Sequence, residues 1–379
     1  MWFGGKRRVA DIVWPRFGDV PNYVEPFFGS GAMLLDRPHW SPDGFPGQAH
    51  TETVNDLDGS VVNFWRAIKH DPEQTARWAD NPVYELDLHA RHQWLHRRLL
   101  STDGLSTAAI AKAKERGILP FSAWMEESPE NYDCQVAGWW CWGVSSWIGA
   151  GWCRPTPQYG LPHLKLPYLG SAGMGVNKKL PHLKRPHLGN AGKGVNRKRP
   201  HLSRPMGCNQ KISDSQTGDG VCANKTAALV QWFFMLKNRF RNVDICCGDW
   251  QRVLGFTPTE KRASPCGVFL DPPYSQDHGL DTVYGEYHDR DVAAKCRAWC
   301  IERGASKDLR ICLCGYETEH AELHEQHGWE VVEWKAAGGY GSQRHDGTND
   351  NAKRERLIFS PGCLPAVAAP TMFEEEEEA

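Results

Sequence analysis

The sequence has no uninterrupted apolar run long enough to cross a bilayer, no CxxC pair among its 13 cysteines, and no Asp or Glu between Cys134 and Ser213. The first absence excludes a single-helix membrane span, which needs about 20 apolar residues. The second, with an odd cysteine count in a chain of 379 residues, argues against a disulfide framework and for reduced thiols packed in the interior. Cys134, Cys141 and Cys153 are spaced too irregularly to read as zinc ligands, so no metal is expected. The opening MWFGGKRRVA turns basic at once and lacks the apolar stretch and small-residue cleavage site of a secretory signal; a cytoplasmic protein is expected.

The third absence marks a polycationic block. Within it lie Arg154, Lys165, Lys178, Lys179, Lys184, Arg185, Lys193, Arg197, Lys198, Arg199, Arg204 and Lys211. Taking these twelve charges from the formal net charge of −2 leaves −14 on the rest, including the five-Glu tail Glu374–Glu378. A basic segment inside an acidic protein reads as a phosphate-contacting surface, with a solvated basic loop as the plainer alternative. The block also carries a repeat of 19 residues: LPHLKLPYLGSAGMGVNKK from Leu161 is matched by LPHLKRPHLGNAGKGVNRK from Leu180, and a truncated copy starts at Arg199. It is too rich in Pro and Gly for helices and too short an array for a solenoid, so basic loops are expected.

What is there on either side has an α/β rhythm. A length of 379 residues suggests two domains or one large domain with an insertion. NYVEPFFG reads as a strand entering a Gly turn, SGAMLLD as a short helix, TETVNDLD as a second strand, and SVVNFWRAI as a helix with Val62, Trp65 and Ile68 on related faces. Pro72 to Ser128 reads as helical, and a cluster of tryptophans, GWWCWGVSSWIGAGWC, precedes the repeats. After Lys225 come a helix (TAALVQWFFMLKNRF), strands in VDICCGDW and CGVFLDPPY, a helix (DVAAKCRAWCIERG), and strands in RICLCGY, GWEVVEWKA and RERLIFS. This alternation favours an open sheet with helices on its faces.

Two short stretches stand out chemically. PFFGSGAM, between a strand and a helix, lets backbone approach a ligand without an intervening side chain. About 25 residues on, Asp56 ends the next strand, where a carboxylate can accept both hydroxyls of a ribose. In GVFLDPPYSQ the prolines must stop the strand near Asp271, which as a bare observation is equally a strand followed by a turn.

WFGGK at 2–6, PFFGSGA at 26–32, NDLD at 55–58 and DPPY at 271–274, in this order, resemble the alpha-type, Dam-like N6-adenine-specific DNA methyltransferases. The resemblance implies a Rossmann-like S-adenosylmethionine-dependent fold with an inserted basic, Trp-rich target-recognition region. It implies residues 1–71 and 225–364 as two parts of the methyltransferase domain and 72–224 as the helical and repeat-containing insertion; by its composition 365–379 is expected to be a disordered acidic tail. Trp2, Lys6, Asp56 and Asp271 would then line the cofactor site, with the turn Phe28, Gly29, Ser30 and Gly31 beneath the methionine part and Asp249 near the cofactor's adenine. Asp271, Pro272, Pro273 and Tyr274 would form the corner that receives a flipped adenine, Tyr274 stacking on the base. For Asp56 a helix N-cap is the plain alternative. For Trp2 and Lys6 it is a frayed terminus.

Double-stranded DNA is the implied partner, with Lys178, Lys179, Lys184, Arg185, Arg197, Lys198 and Arg199 as phosphate contacts and Asn177 and Asn196 for base edges. A companion restriction endonuclease is compatible with this reading, and a monomer or weak dimer is expected. Rival readings are an N4-cytosine or RNA amino-methyltransferase, which shares the amine-activating corner, and an inactive DNA-binding module. The Pro-Cys pair at Pro265-Cys266 resembles that of cytosine carbon-5 methyltransferases, but it precedes the strand that carries Asp271, so Cys266 is assigned to packing.

Overall fold

In the computed structural model the described residues are 6–38, 50–99, 121–147, 152–153, 221–273, 291–334 and 355–366. They contain β1 (Asn22–Glu25), β2 (Thr51–Asp56), β3 (Val243–Cys247), β4 (Cys266–Leu270), β5 (Leu309–Tyr316), β6 (Glu330–Glu333) and β7 (Glu355–Phe359). Their helices are α1 (Ala10–Phe17), α2 (Ala32–Leu35), α3 (Gly59–His70), α4 (Pro72–Ala79), α5 (Glu85–Leu99), α6 (Phe121–Glu127), α7 (Cys134–Ser146), α8 (Val221–Phe240), α9 (Val292–Arg303) and α10 (Ala321–His327).

The strands form one sheet in the order β3-β2-β1-β4-β5-β7-β6. β1 to β5 are parallel, and β7 enters antiparallel between β5 and β6. Parallel strands covered on both faces should be apolar throughout, and β4, CGVFL, is buried at every position. One face packs against α1, α3 and α8 through Val13, Phe17, Val62, Trp65, Phe233 and Phe240. The other packs against α9 and α10 through Cys296, Cys300 and Leu323. The result is the helix–sheet–helix sandwich that the alternating pattern predicts.

The direction of strand order reverses between β1 and β4. At such a switch point the loops leaving neighbouring strands diverge, which opens a crevice at the carboxyl edge of the sheet. β1 leaves this edge toward β2 and β3; β4 leaves it on the other side.

The two halves are locked by buried charge. Glu52 of β2 accepts from Arg37 at 2.8 Å and from both terminal nitrogens of Arg239, on α8, at 2.6 and 2.8 Å. Burial pushes the Glu52 carboxyl up, but the two guanidiniums outweigh it and hold it below the ordinary carboxylate value. Arg239 also donates to the carbonyl of Leu34 at 2.7 Å, just after the Gly turn.

The tryptophan cluster serves the core. Cys134–Ser146 is a helix capped by Asp133, whose side chain accepts from Val136 N at 3.0 Å. Asn63 and Asp133 exchange two hydrogen bonds at 3.0 and 2.7 Å, which fixes the start of α7 on α3. Trp140, Trp142 and Trp152 are buried, and Trp142 donates to the carbonyl of Asn81 at 2.8 Å. A Cβ at Gly138 would lie 2.4 Å from that of Trp78, so the glycine permits close approach of α4 and α7. The 19-residue repeats, the seven basic DNA-contact candidates and the acidic tail from residue 367 lie outside the described residues.

Candidate active site

After Glu25 the chain turns through Pro26 to Gly31 before entering α2. Gly29 and Gly31 have φ of 46° and 66°, a region that residues with a Cβ adopt at a cost. The ring of Phe28 points down into the core, 5.4 Å from Trp65 and 5.9 Å from Phe240. Trp65 Nε1 donates to the carbonyl of Gly29 at 3.0 Å. Phe28 and Trp65 therefore support the turn from beneath, leaving Gly29 and Ser30 half-buried on its outer side.

Asp56 ends β2 beside this turn. Its Oδ2 accepts from Gly29 N at 2.8 Å and its Oδ1 from Asp58 N at 2.9 Å. The N-cap of α3 is Asp58, which accepts from Ser60 N at 2.8 Å, so Asp56 is spared that role. Desolvation, reinforced by Asp58, pushes the Asp56 carboxyl up to about 7 although backbone amides oppose the shift. The next residue, Leu57, is 50% exposed and offers an apolar face at the rim.

Asn55 binds the strand ends together. Its Nδ2 donates to Pro26 O at 3.1 Å and Gly248 O at 2.9 Å, spanning the carboxyl ends of β1 and β3. Its Oδ1 is buried without a partner among the described residues. Asp249 follows Gly248, is exposed, and caps the turn Trp250–Val253 by accepting from Gln251 N at 2.8 Å.

On the other side of the switch point β4 delivers Asp271 and Pro273, half-buried, and Pro272, buried. Lys6, 5% exposed, brings its ammonium within 3.2 Å of Asp271 Oδ1 and 3.4 Å of Glu355 Oε2. The same ammonium lies 5.5 Å from the Trp334 ring centroid. Glu25 is buried beneath the site and accepts from the Tyr23 hydroxyl at 2.9 Å. Burial drives its carboxyl well above the ordinary value; the Tyr23 bond opposes this and the charge of Asp271 adds to it. Cys266 opens β4, at the strand end opposite Asp271, and burial pushes its thiol up. It is buried packing, without the thiolate character a nucleophile needs.

The fold thus gathers Lys6, the turn Phe28–Gly31, Asp56 and Asp271 at one edge of the sheet. Trp2 and Tyr274 lie outside the described residues. Glu25, Asn55, Leu57 and Glu355 are site residues that sequence reasoning did not single out. Glu25 carried a signal, an acid ending a buried strand directly before the glycine turn, and Asn55 and Leu57 lie inside the NDLD motif; Glu355 carried none.

Residues 2–115 match the family model for D12 class N6 adenine-specific DNA methyltransferases. No curated protein matches the chain. The matched span holds Lys6, the glycine turn and Asp56; Asp271 lies beyond the span, and folding brings it against Lys6. Among the described residues no helix is long and apolar enough to cross a membrane.

The donor set suits a nucleoside with a cationic tail. Two positive-φ glycines provide a backbone cradle, and a half-buried carboxylate stands at the end of β2. An orphaned amide oxygen at Asn55, an exposed Leu57 and the half-buried carboxylate of Asp271 complete a site rich in acceptors.

Proposed function

We propose that the chain methylates the exocyclic amine of adenine in duplex DNA in a site-specific manner, with S-adenosylmethionine as donor and the adenine flipped out of the stack. The observation that carries this is the juxtaposition of the Asp56-braced glycine turn with Asp271 across the β1/β4 switch point in a chain matching the D12 class.

S-adenosylmethionine, when bound, supplies a methyl group on a positively charged sulfur. Asp56 would accept its ribose hydroxyls, Gly29, Ser30 and Gly31 would hold its methionine part, Leu57 and Asp249 its adenine, and Trp2 and Lys6 would close the site. Adenine's amine is a weak nucleophile because its lone pair is delocalised into the ring. Asp271 and the carbonyl of Pro272 accept its two hydrogens, which turns the lone pair out of the ring plane. Positive charge grows on that nitrogen during attack, so a fixed carboxylate stabilises the transition state more than the ground state. Pro272 and Pro273 hold the corner rigid. Tyr274 stacks on the extruded base, worth about 1–3 kcal/mol, which is of the order of the unstacking cost.

Residues 1–71 and 225–364 supply this site, and 72–224 the target-recognition part, whose Lys178, Lys179, Lys184, Arg185, Arg197, Lys198 and Arg199 neutralise phosphates. The packing of α4 against α8 and of α7 against α3 supports this division, since it joins the helical portion of that segment to the helices that cover the sheet. Incubating the protein with S-adenosylmethionine and duplex DNA, then digesting to nucleosides, should yield N6-methyladenine. Only 4-methylcytosine, or activity confined to RNA, would overturn the proposal.

A further inference from the structure

The Asp271 corner holds more charge than the expected motif residues provide. Glu355 is the first residue of β7, and because β7 runs antiparallel to β5 its start pairs with Tyr316 at the carboxyl end of β5. Antiparallel entry therefore delivers Glu355 to the edge where Asp271 stands. The alternation of β7 sends its neighbour Arg356 elsewhere, to Glu317 and Glu333 at 3.2 and 2.9 Å. Glu355 turns to Lys6.

Asp271 and Glu355 share one nearly buried ammonium, so Lys6 and these two acids together carry a net charge of −1. The division matters for chemistry. A Lys6 ammonium directed at Asp271 alone would cancel the charge that Asp271 must present to an amine. With Glu355 taking part of it, Asp271 is held in place by Lys6 and yet keeps acceptor strength.

We propose that Glu355 is a positioning residue of the methyl-transfer site, acting through Lys6 on Asp271. The inference rests on the methyltransferase reading above. It is tested with the full chain, duplex DNA and S-adenosylmethionine. Glu355→Gln should lower kcat about tenfold, the scale on which a charge-assisted hydrogen bond exceeds a neutral one. The KM for S-adenosylmethionine should change by less than about twofold. Glu355→Asp, which keeps the charge, should recover most of the loss. In a Lys6→Met background Glu355→Gln should have little further effect, since coupled residues are non-additive.

Wild-type kcat in Glu355→Gln, or the same loss with and without Lys6, would overturn the inference. If Lys6→Met fails to fold, the Gln and Asp variants at 355 decide by themselves: an Asp variant no better than Gln contradicts a charge role. A wild-type chain that transfers no methyl to DNA would instead overturn the underlying reading.

Discussion

Replacing Gly31 by alanine should weaken the fold and the cofactor site together. Gly31 begins α2 at φ 66°, ψ 20°, and a left-handed conformation costs a residue with a Cβ about 1–2 kcal/mol. The new Cβ would also lie 2.7 Å from Phe28 Cζ and 3.2 and 3.3 Å from Cε2 and Cε1. Phe28 cannot swing clear, because its ring is wedged against Trp65 and Phe240; overpacking of this kind adds about 1–3 kcal/mol. The combined loss, about 2–5 kcal/mol, is a large part of the about 5–15 kcal/mol that holds a typical protein folded. Gly328 supplies the control: its φ is 68° but nothing lies within 4 Å of its Cβ position. Gly328→Ala should therefore show the conformational cost alone. Urea denaturation followed by tryptophan fluorescence measures both losses, and titration calorimetry with S-adenosylmethionine measures binding. Affinity should fall only for Gly31→Ala, where displacement of the turn carries Gly29 N away from Asp56. Equal stability losses in the two variants, with wild-type cofactor binding in both, would refute the reasoning.

If Asp56 holds the cofactor as proposed, binding should depend on pH. Its carboxyl value of about 7, above the ordinary 3.8, means that the fold disfavours the ionised form; this contribution to stability is fully present below 3.8 and is lost as pH rises through about 7. A cationic ligand favours ionisation, so binding should tighten as pH rises through about 7 and release a proton, detectable by calorimetry in buffers of different ionisation heat. Asp56→Asn should flatten that profile, and a flat profile in the wild type would contradict the assignment. Glu52→Ala would leave Arg37 and Arg239 facing each other inside the core, at a cost of about 3–5 kcal/mol or more; a urea midpoint near wild type would show that the buried pair does not lock the halves.

The sheet was legible because its strands are short apolar runs closed by Gly, Pro or Asp, and each of the seven runs recognised in the sequence forms a strand. Order in the sheet was not, since pairing depends on contacts across more than two hundred residues, as between Val24 and Val268. The turn and Asp56 could be read from local spacing. Glu355 could not: its importance comes from antiparallel entry of β7, and RERLIFS reads simply as a strand. The tryptophan cluster was read by composition together with the neighbouring repeats. Its helix, apolar nearly all round, gives no amphipathic stripe to recognise, and its packing depends on Gly138 and Gly143 meeting Trp78 and Trp152.

The central claim is that Asp271 activates the amine while DNA is held elsewhere, and it is tested most directly by comparing Asp271→Ala with wild type on the same duplex DNA. Single-turnover methyl transfer should fall at least about 10²-fold, the scale of losing one pre-organised electrostatic partner, with DNA affinity nearly unchanged. Methyl transfer at the wild-type rate in Asp271→Ala would contradict the account.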